Sequence, residues 1–186
     1  NEKWATDVTE FKWYEGPVVH KLYLSVILDL YDLSPISWVV SRRNDNKLVL
    51  DTFAKAIQDN PDAKPIFHSD RGFQYTSKIF QKKLQTQGMT QSMSRVGHCI
   101  DNGPTENFWS IVKSEMYYLN HFADEISLRK TIADYMTFYS TERIQERFGG
   151  KTPAEVRAEA LAANTPTQYP IPVNKRIQKY KARYAA

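Results

Sequence analysis

The sequence predicts one α/β domain in which a mixed five-stranded sheet is flanked by helices. Three strand-like segments come first and are joined by short turns, which favours an antiparallel meander. Two shorter strand-like segments then alternate with helix-like segments, and this alternation favours parallel pairing of the later strands. With 186 residues, of which 41% are hydrophobic, the chain is long enough to bury the core that such a sheet needs.

The three leading strands are predicted from β-branched and aromatic runs at residues 4–13, 18–30 and 35–40. The second run is almost wholly apolar over its later half, as expected of a central strand that is buried on both faces. Two later strands are predicted at residues 65–68 and 89–93.

Helices are predicted from the spacing of apolar residues and from residues that can cap a helix. The first covers residues 47–58 and follows Asp45 or Asn46, either of which can cap it. The others run from Thr76 or Ser77 to residue 87, onward from Pro104, over residues 127–143 and over residues 153–163.

Basic residues are concentrated at the carboxyl end of the chain. The net charge is +4, but residues 164–186 contain five basic side chains and no acidic one, so the rest of the chain sums to 4 − 5 = −1. We expect residues 1–163 to form the folded domain and residues 164–186 to form an extended basic tail. Cations interleaved with tyrosines suit phosphate attraction and base stacking, so Lys175, Arg176 and Lys179 are candidate nucleic-acid contacts.

The composition also constrains the compartment. The single cysteine, Cys99, excludes an intramolecular disulfide and suits a reducing environment. No apolar run approaches the ~20 residues of a membrane span, and no signal-peptide pattern opens the chain. We therefore expect a cytoplasmic protein. Because the chain begins abruptly in a strand-like segment, we also expect a further segment upstream.

One stretch, residues 101–113, has the features of a helix start. Asn102 or Gly103 can cap the helix, and Pro104 suits its first position because the missing N–H is not needed there. Glu106 falls in the first turn, and Lys113 returns to the same face two turns later. The apolar side chains of the helix, Phe108, Trp109, Val112 and Met116, can point into a core. A carboxylate and a lysine so placed suit a metal-bound phosphate, although an ordinary solvated helix face has the same pattern.

Three carboxylates are predicted to meet at one edge of the sheet. Asp7 lies in the middle of the first strand, Asp70 follows the fourth strand, and Glu106 begins a helix. Two unit charges ~4 Å apart repel by about 4 kcal/mol at an effective dielectric constant of 20, and divalent cations would remove that repulsion. Carboxylate oxygens suit Mg²⁺ or Mn²⁺, and two such ions can catalyse an in-line phosphoryl displacement.

The motifs around these acids resemble those of a known enzyme family. They are W-x-x-D-V-T around Asp7, H-S-D-R-G-x-Q-Y around Asp70 and D-N-x-x-x-E-N-F-W-x-x-x-K through Glu106, with 35 residues between the last two acids. A later segment runs from Tyr139 to Arg143 and on through Gly149 to T-P-A-E. Together they resemble the catalytic core of bacterial insertion-sequence transposases, which are DDE enzymes related to retroviral integrases and have a ribonuclease-H-like fold.

The resemblance implies metal-dependent nicking of DNA 3′ ends, followed by strand transfer. It implies that Asp7, Asp70 and Glu106 hold two Mg²⁺ or Mn²⁺ ions. The DNA contacts that it suggests are Lys113, Asn102, Asn107 and Arg143. The implied partners are element terminal repeats, target DNA, further copies of the chain in a synaptic complex and an upstream helix-turn-helix region, with a location at the bacterial nucleoid.

Two other functions remain open on the sequence. One is a ribonuclease-H-like nuclease that cuts without joining, and the other is a decayed relative that only binds DNA. The intact acids argue against the second. Asp29 and Asp32, at the end of the second strand, are either additional metal ligands or turn residues, and His68 either contacts the site or only packs.

Overall fold

A mixed five-stranded sheet forms the centre of the molecule, with the strand order β3-β2-β1-β4-β5. The computed structural model describes residues 1–95, 102–170 and 175–183. The strands are β1 (Lys3–Glu15), β2 (Val18–Asp29), β3 (Pro35–Ser41), β4 (Ile66–Ser69) and β5 (Thr90–Met93). The first three pair antiparallel, whereas β4 is parallel to β1 and β5 is parallel to β4, so the predicted sheet is confirmed.

Six α-helices lie in the described ranges: α1 (Asn46–Asp59), α2 (Lys78–Thr86), α3 (Gly103–Val112), α4 (Glu125–Thr141), α5 (Pro153–Ala162) and α6 (Lys175–Arg183). Side-chain caps start several of them. Asp45 accepts from the Leu48 N–H at α1, and Thr152 forms a capping box with Glu155 at α5. None of the helices described is long and apolar enough to cross a membrane.

The structure differs from the predictions or adds to them in four local details. The helix α4 begins two residues earlier than predicted because Asp124 caps it by accepting from the Ser127 N–H. The helix α3 does not simply end but continues as a π-helical segment, Lys113–Tyr117. At α3, Asn102 occupies the cap position without a side-chain cap bond. The tail is not extended throughout, since its residues 175–183 form α6.

The two faces of the sheet bury separate apolar clusters. On one face, alternate residues of β1 and β2 pack against α3 and α4, with Phe11, Leu24 and Phe108 among the most buried. On the other face, Trp4 and Phe67 pack with α1 and α2. Because side chains alternate along a strand, Asp7 projects to the same face as Phe11, the face that α3 covers.

The acids at the end of β2 are turn and anchor residues. Asp29 accepts from the Tyr31 N–H, and Asp32 accepts from the Ser34 N–H. Arg157 of α5 lies 3.1 Å from Asp32 and 3.6 Å from Asp29, both of which are buried. The turn role that the sequence suggested for this pair therefore fits, and the ion pairs with Arg157 fasten α5 to the sheet.

Candidate active site

Asp7 lies at the centre of the site, in the middle of β1. It is paired in register with Val26 of β2, so its position along the sheet is fixed from the antiparallel side. Its carboxylate accepts two hydrogen bonds, from the Val8 N–H to Oδ1 at 2.8 Å and from the Trp109 indole N–H to Oδ2 at 3.0 Å. Both donors hold the charged form of this half-buried side chain in one orientation.

Asp70 follows directly on β4, the parallel neighbour of β1. Its Oδ1 accepts from the Gly72 N–H at 2.8 Å, which closes a tight turn after the strand. A Cβ on Gly72 would lie 3.0 Å from that oxygen and 3.1 Å from Oε1 of Gln74, so the turn leaves no room for a side chain. The H-S-D-R-G motif is therefore a turn that presents Asp70 at the carboxyl end of its strand.

Glu106 lies in the first turn of α3 with Pro104 before it. Its side chain is exposed, while Phe108, Trp109 and Val112 of the same helix are buried against the sheet. The predicted division of this helix into an apolar and a polar face is confirmed. Packing of the apolar face leaves the glutamate close enough to Asp7 to raise the pKa of that residue.

The three acids act on one another electrostatically. The pKa of Asp7 is raised to about 6, mainly because burial disfavours its charged form, and repulsion by Asp70 and then Glu106 adds to the rise. The hydrogen bonds from Val8 and Trp109 act in the opposite direction. Such a cluster of mutually repelling carboxylates is a typical place for a bound cation.

The carboxylates do not, however, converge on one point. Within residues 1–95, 102–170 and 175–183, no three His, Cys, Asp or Glu side chains are arranged so that they could hold a metal ion together. The donor chemistry still fits, since the oxygens are hard ligands and their charges raise the pKa of Asp7.

The other predicted contacts are scattered around this edge. Lys113 is half-buried two turns beyond Glu106, and Asn107 is exposed next to it. Asn102 is buried, and its Oδ1 has no hydrogen-bond partner among the described residues. The roles of Lys113, Asn107 and Asn102 as DNA contacts stay predictions.

Arg143 already has a protein partner. Its guanidinium donates from Nε to Oε2 of Glu115 at 2.7 Å and from Nη2 to Oε1 at 2.6 Å, a bidentate pair. The Tyr135 hydroxyl donates to the same carboxylate at 2.8 Å. The role of Arg143 as a DNA contact stays a prediction. The tail residues Lys175, Arg176 and Lys179 lie on α6, whose residues are not buried.

His68 contacts two serines, one in β5 and one just after it. Its Nδ1 lies 3.0 Å from the Ser92 hydroxyl, and its Nε2 lies 3.3 Å from the Ser94 hydroxyl. Trp109 contacts Asp7 although the sequence predicted only a core position for it. The signal that could have found it is its position three residues after Glu106, since residues so spaced are neighbours on a helix.

Comparison with known proteins gives the family. Two family models match in succession, both described as an integrase core domain, the first over residues 1–99 and the second over residues 106–161. The chain belongs to the integrase core domain family. Among its members, the chain is of the insertion-sequence transposase type, as its relatives indicate.

An uncharacterized transposase-like protein of Haemophilus influenzae is 40% identical over 161 residues, which are 87% of this chain and 73% of that protein. The putative transposase InsK for insertion sequence element IS150 of Escherichia coli is 40% identical over 158 residues, 84% of this chain and 54% of InsK. The IS904 transposase of Lactococcus lactis is 34% identical over 157 residues, 83% of this chain and 60% of its own. This integrase core thus spans between about half and three quarters of the length of these relatives.

Solved structures agree on the fold. A chain of the simian T-cell lymphotropic virus intasome matches 94% of this integrase core and 60% of its own length, with a TM-score of 0.72 at 19% identity. The HTLV-2 integrase catalytic core domain, solved with magnesium, matches 83% of this chain and 95% of its own, with a TM-score of 0.64 at 21% identity. The predicted ribonuclease-H-like fold is confirmed.

Proposed function

We propose that this chain is the catalytic domain of a DNA transposase, which nicks the 3′ ends of an element and joins them to target DNA. The single observation that carries the proposal is that Asp70 and Glu106 lie close enough to Asp7 to raise its pKa. The three acids come from β1, the turn after β4 and the first turn of α3. Membership of the integrase core family supports the same chemistry. In the first step water attacks a phosphodiester and leaves a free 3′-hydroxyl. In the second, that hydroxyl attacks a phosphodiester of the target, and the target strand is released with its own 3′-hydroxyl.

Asp7, Asp70 and Glu106 are the proposed holders of two Mg²⁺ or Mn²⁺ ions. When bound, the ions would lower the pKa of the attacking oxygen and stabilise the leaving one. A pair of ions shared among three carboxylates does not require all three to reach the same ion. Asp7 is the natural shared ligand, since its pKa responds to both of the other acids.

The remaining residues of the site have binding roles in this proposal. Asn107 lies on α3 beside Glu106, and Lys113 begins the π-helical segment that continues α3. Both would contact the phosphates of the scissile strand. Asn102, whose buried amide oxygen has no partner within the described part of the chain, would accept from a ligand or orient the start of α3. The basic helix α6 would add attraction to the DNA backbone that depends on salt concentration.

The partners of this domain are part of the proposal. Two element ends must be brought together for transposition, so we expect the chain to act as a homo-oligomer on DNA. The HTLV-2 integrase core has been solved in trimeric and dimeric forms, which supports assembly in this fold. Recognition of the terminal repeats is assigned to a helix-turn-helix region in the full-length protein.

Joining is the step that separates this function from the alternatives. A labelled oligonucleotide end, incubated with a target duplex and Mn²⁺, should give longer labelled products with the wild-type protein. A nuclease without joining activity would give shortened products only, and a decayed DNA-binding module would give a mobility shift without products.

The first prediction concerns Glu106. Glu106→Gln keeps the shape of the side chain but removes its charge, so joining should fall by a factor on the order of 10³ or more. The matched control is Glu146→Gln, an exposed glutamate in the 3₁₀ segment Glu146–Phe148, which should retain full joining. Unchanged joining by Glu106→Gln would overturn the site assignment.

A further inference from the structure

Trp109 makes a contact that packing alone does not require. Its side chain is only 7% exposed and belongs to the apolar cluster between the sheet and α3. Its indole N–H is nevertheless not packed against apolar groups alone, because it donates to Oδ2 of Asp7 at 3.0 Å. A buried tryptophan needs an acceptor for its N–H, and here the acceptor is one of the three site carboxylates.

The hydrogen bonds to Asp7 leave it capacity for further ligands. An ionised carboxylate has about four lone-pair positions on its two oxygens. Val8 occupies one on Oδ1 and Trp109 occupies one on Oδ2, so each oxygen retains a free position. Because one donor is fixed to each oxygen, the carboxyl group cannot rotate without losing a bond. The free positions therefore point in set directions.

The same contact fixes α3 against β1. Residues three apart on a helix are neighbours, so Trp109 lies beside Glu106 on α3. The hydrogen bond between Trp109 and Asp7 thus sets how close the Glu106 turn can come to the middle of β1. Loss of that bond would free both the rotation of Asp7 and the distance to Glu106.

We propose that Trp109 is a positioning residue that acts through Asp7: its indole N–H holds the Asp7 carboxylate in the orientation that binds divalent metal. The inference rests on the proposed function only in taking Asp7 as a metal ligand. Outer hydrogen-bond partners of metal ligands typically contribute 10–100-fold to metal affinity. Trp109 has no contact with the reacting atoms in this assignment, so it is not a catalytic residue.

The test replaces the N–H and keeps the ring. Trp109→Phe removes the donor with a modest loss of volume, and benzothienylalanine at position 109 removes it with almost none, since sulfur takes the place of the N–H. The matched control is Trp13→Phe. Trp13 is 6% exposed and belongs to the same cluster, but no carboxylate accepts from it in the described contacts. The readout is direct Mn²⁺ binding, followed by the paramagnetic resonance signal of the free ion.

We expect both changes at position 109 to weaken Mn²⁺ binding about tenfold or more, while Trp13→Phe stays within about twofold of wild type. The Mn²⁺ concentration for half-maximal joining should rise in parallel. Wild-type Mn²⁺ affinity in the benzothienylalanine protein would overturn the inference, as would an equal loss in Trp13→Phe or failure of the wild-type protein to bind Mn²⁺.

The outcome is distinguishable from failure of the proposed function. If the wild-type protein binds Mn²⁺ but joins no DNA, the transposase proposal fails. The Mn²⁺ affinities of the two proteins changed at position 109 then still decide whether Trp109 positions Asp7. The opposite result is that the wild-type protein joins DNA, Glu106→Gln abolishes joining, and the changes at position 109 leave Mn²⁺ affinity unchanged. In that case only the positioning role of Trp109 fails.

Discussion

Asp7 is the residue at which burial and charge oppose each other most clearly. Burial raises its pKa to about 6, whereas two hydrogen bonds favour its ionised form. Above that pH the folded protein therefore keeps a negative charge that desolvation and two neighbouring acids disfavour. A site of this kind sacrifices stability in the absence of cations and recovers it when they bind.

The pH dependence of stability follows from this shift. Between pH 3.8, the ordinary pKa of an aspartate, and pH about 6, the folded state binds more protons than the unfolded state does. The free energy of unfolding should therefore fall as pH rises from about 4 to about 6, by an amount on the order of 1–2 kcal/mol from this residue. Urea unfolding in EDTA measures it.

Asp7→Asn is the control for that measurement because it has no charge to titrate. Its amide can accept from only one of the two donors, Val8 or Trp109, so its absolute stability will differ from that of the wild type. The diagnostic quantity is the slope between pH 4 and pH 6, which should become less negative. An unchanged slope would contradict the shift assigned to Asp7.

At the scale of elements, the junction between α3 and α4 depends on a polar contact. The π-helical segment Lys113–Tyr117 follows α3 directly. Arg143, just after α4, donates two hydrogen bonds to the carboxylate of Glu115 in this segment. The pKa of Glu115 is lowered chiefly by the hydrogen bonds from Arg143. This pair connects the segment after α3 to the end of α4. The sequence motif that runs from Tyr139 to Arg143 therefore has a structural role.

A double-mutant cycle separates that role from DNA binding. Arg143→Gln should destabilise the fold by about 1 kcal/mol, since the pair is partly exposed and solvent screens it. Glu115→Gln should cost a similar amount, and the double mutant should cost less than the sum because the two changes remove the same contact.

Strictly additive losses would show that the pair contributes nothing. A loss of DNA affinity in Arg143→Gln that Glu115→Gln does not share would instead favour the predicted DNA contact. Urea unfolding gives the stabilities, and fluorescence anisotropy with a labelled duplex gives the affinities.

At the scale of the whole molecule, the predicted domain boundary at residue 163 does not coincide with the end of packing. The Tyr31 hydroxyl donates to the Thr167 carbonyl at 2.7 Å, and the ring of Tyr169 lies 4.9 Å from that of Phe148, centroid to centroid. Phe148 is buried. Residues 165–170 therefore cover part of the core, whereas α6 is exposed.

Two truncations test this division. Ending the chain after residue 163 uncovers Phe148 and should lower the free energy of unfolding by about 1–2 kcal/mol. Ending it after residue 170 keeps the contacts of Thr167 and Tyr169, so it should cost less stability than the first truncation, and it removes Lys175, Arg176 and Lys179. DNA affinity should then fall and depend less steeply on salt.

Equal stabilities of the two truncated proteins would contradict the covering role of residues 165–170. An unchanged salt dependence after the second truncation would exclude α6 from DNA binding. Thermal unfolding and binding titrations at several salt concentrations are the measurements.

Local signals determined most of the architecture. The five strands and the first five helices follow from apolar periodicity and from caps such as Ser77 and Thr152, because these interactions are made within a few residues of the chain. The motif spacing likewise predicted which acids belong to the site. The helix α6 was missed because prolines and a high density of charge hid its short periodic pattern.

What the sequence alone determined was thus the order of the strands and of the first five helices, and the division of α3 into two faces. Asp7, Asp70 and Glu106 stay its prediction for the site. The tertiary structure decided the contacts made across the chain. It paired Trp109 with Asp7, Glu115 with Arg143 and Tyr169 with Phe148, over separations that no local pattern encodes. The physical reason is that a side-chain donor finds its acceptor only after packing has brought two elements together.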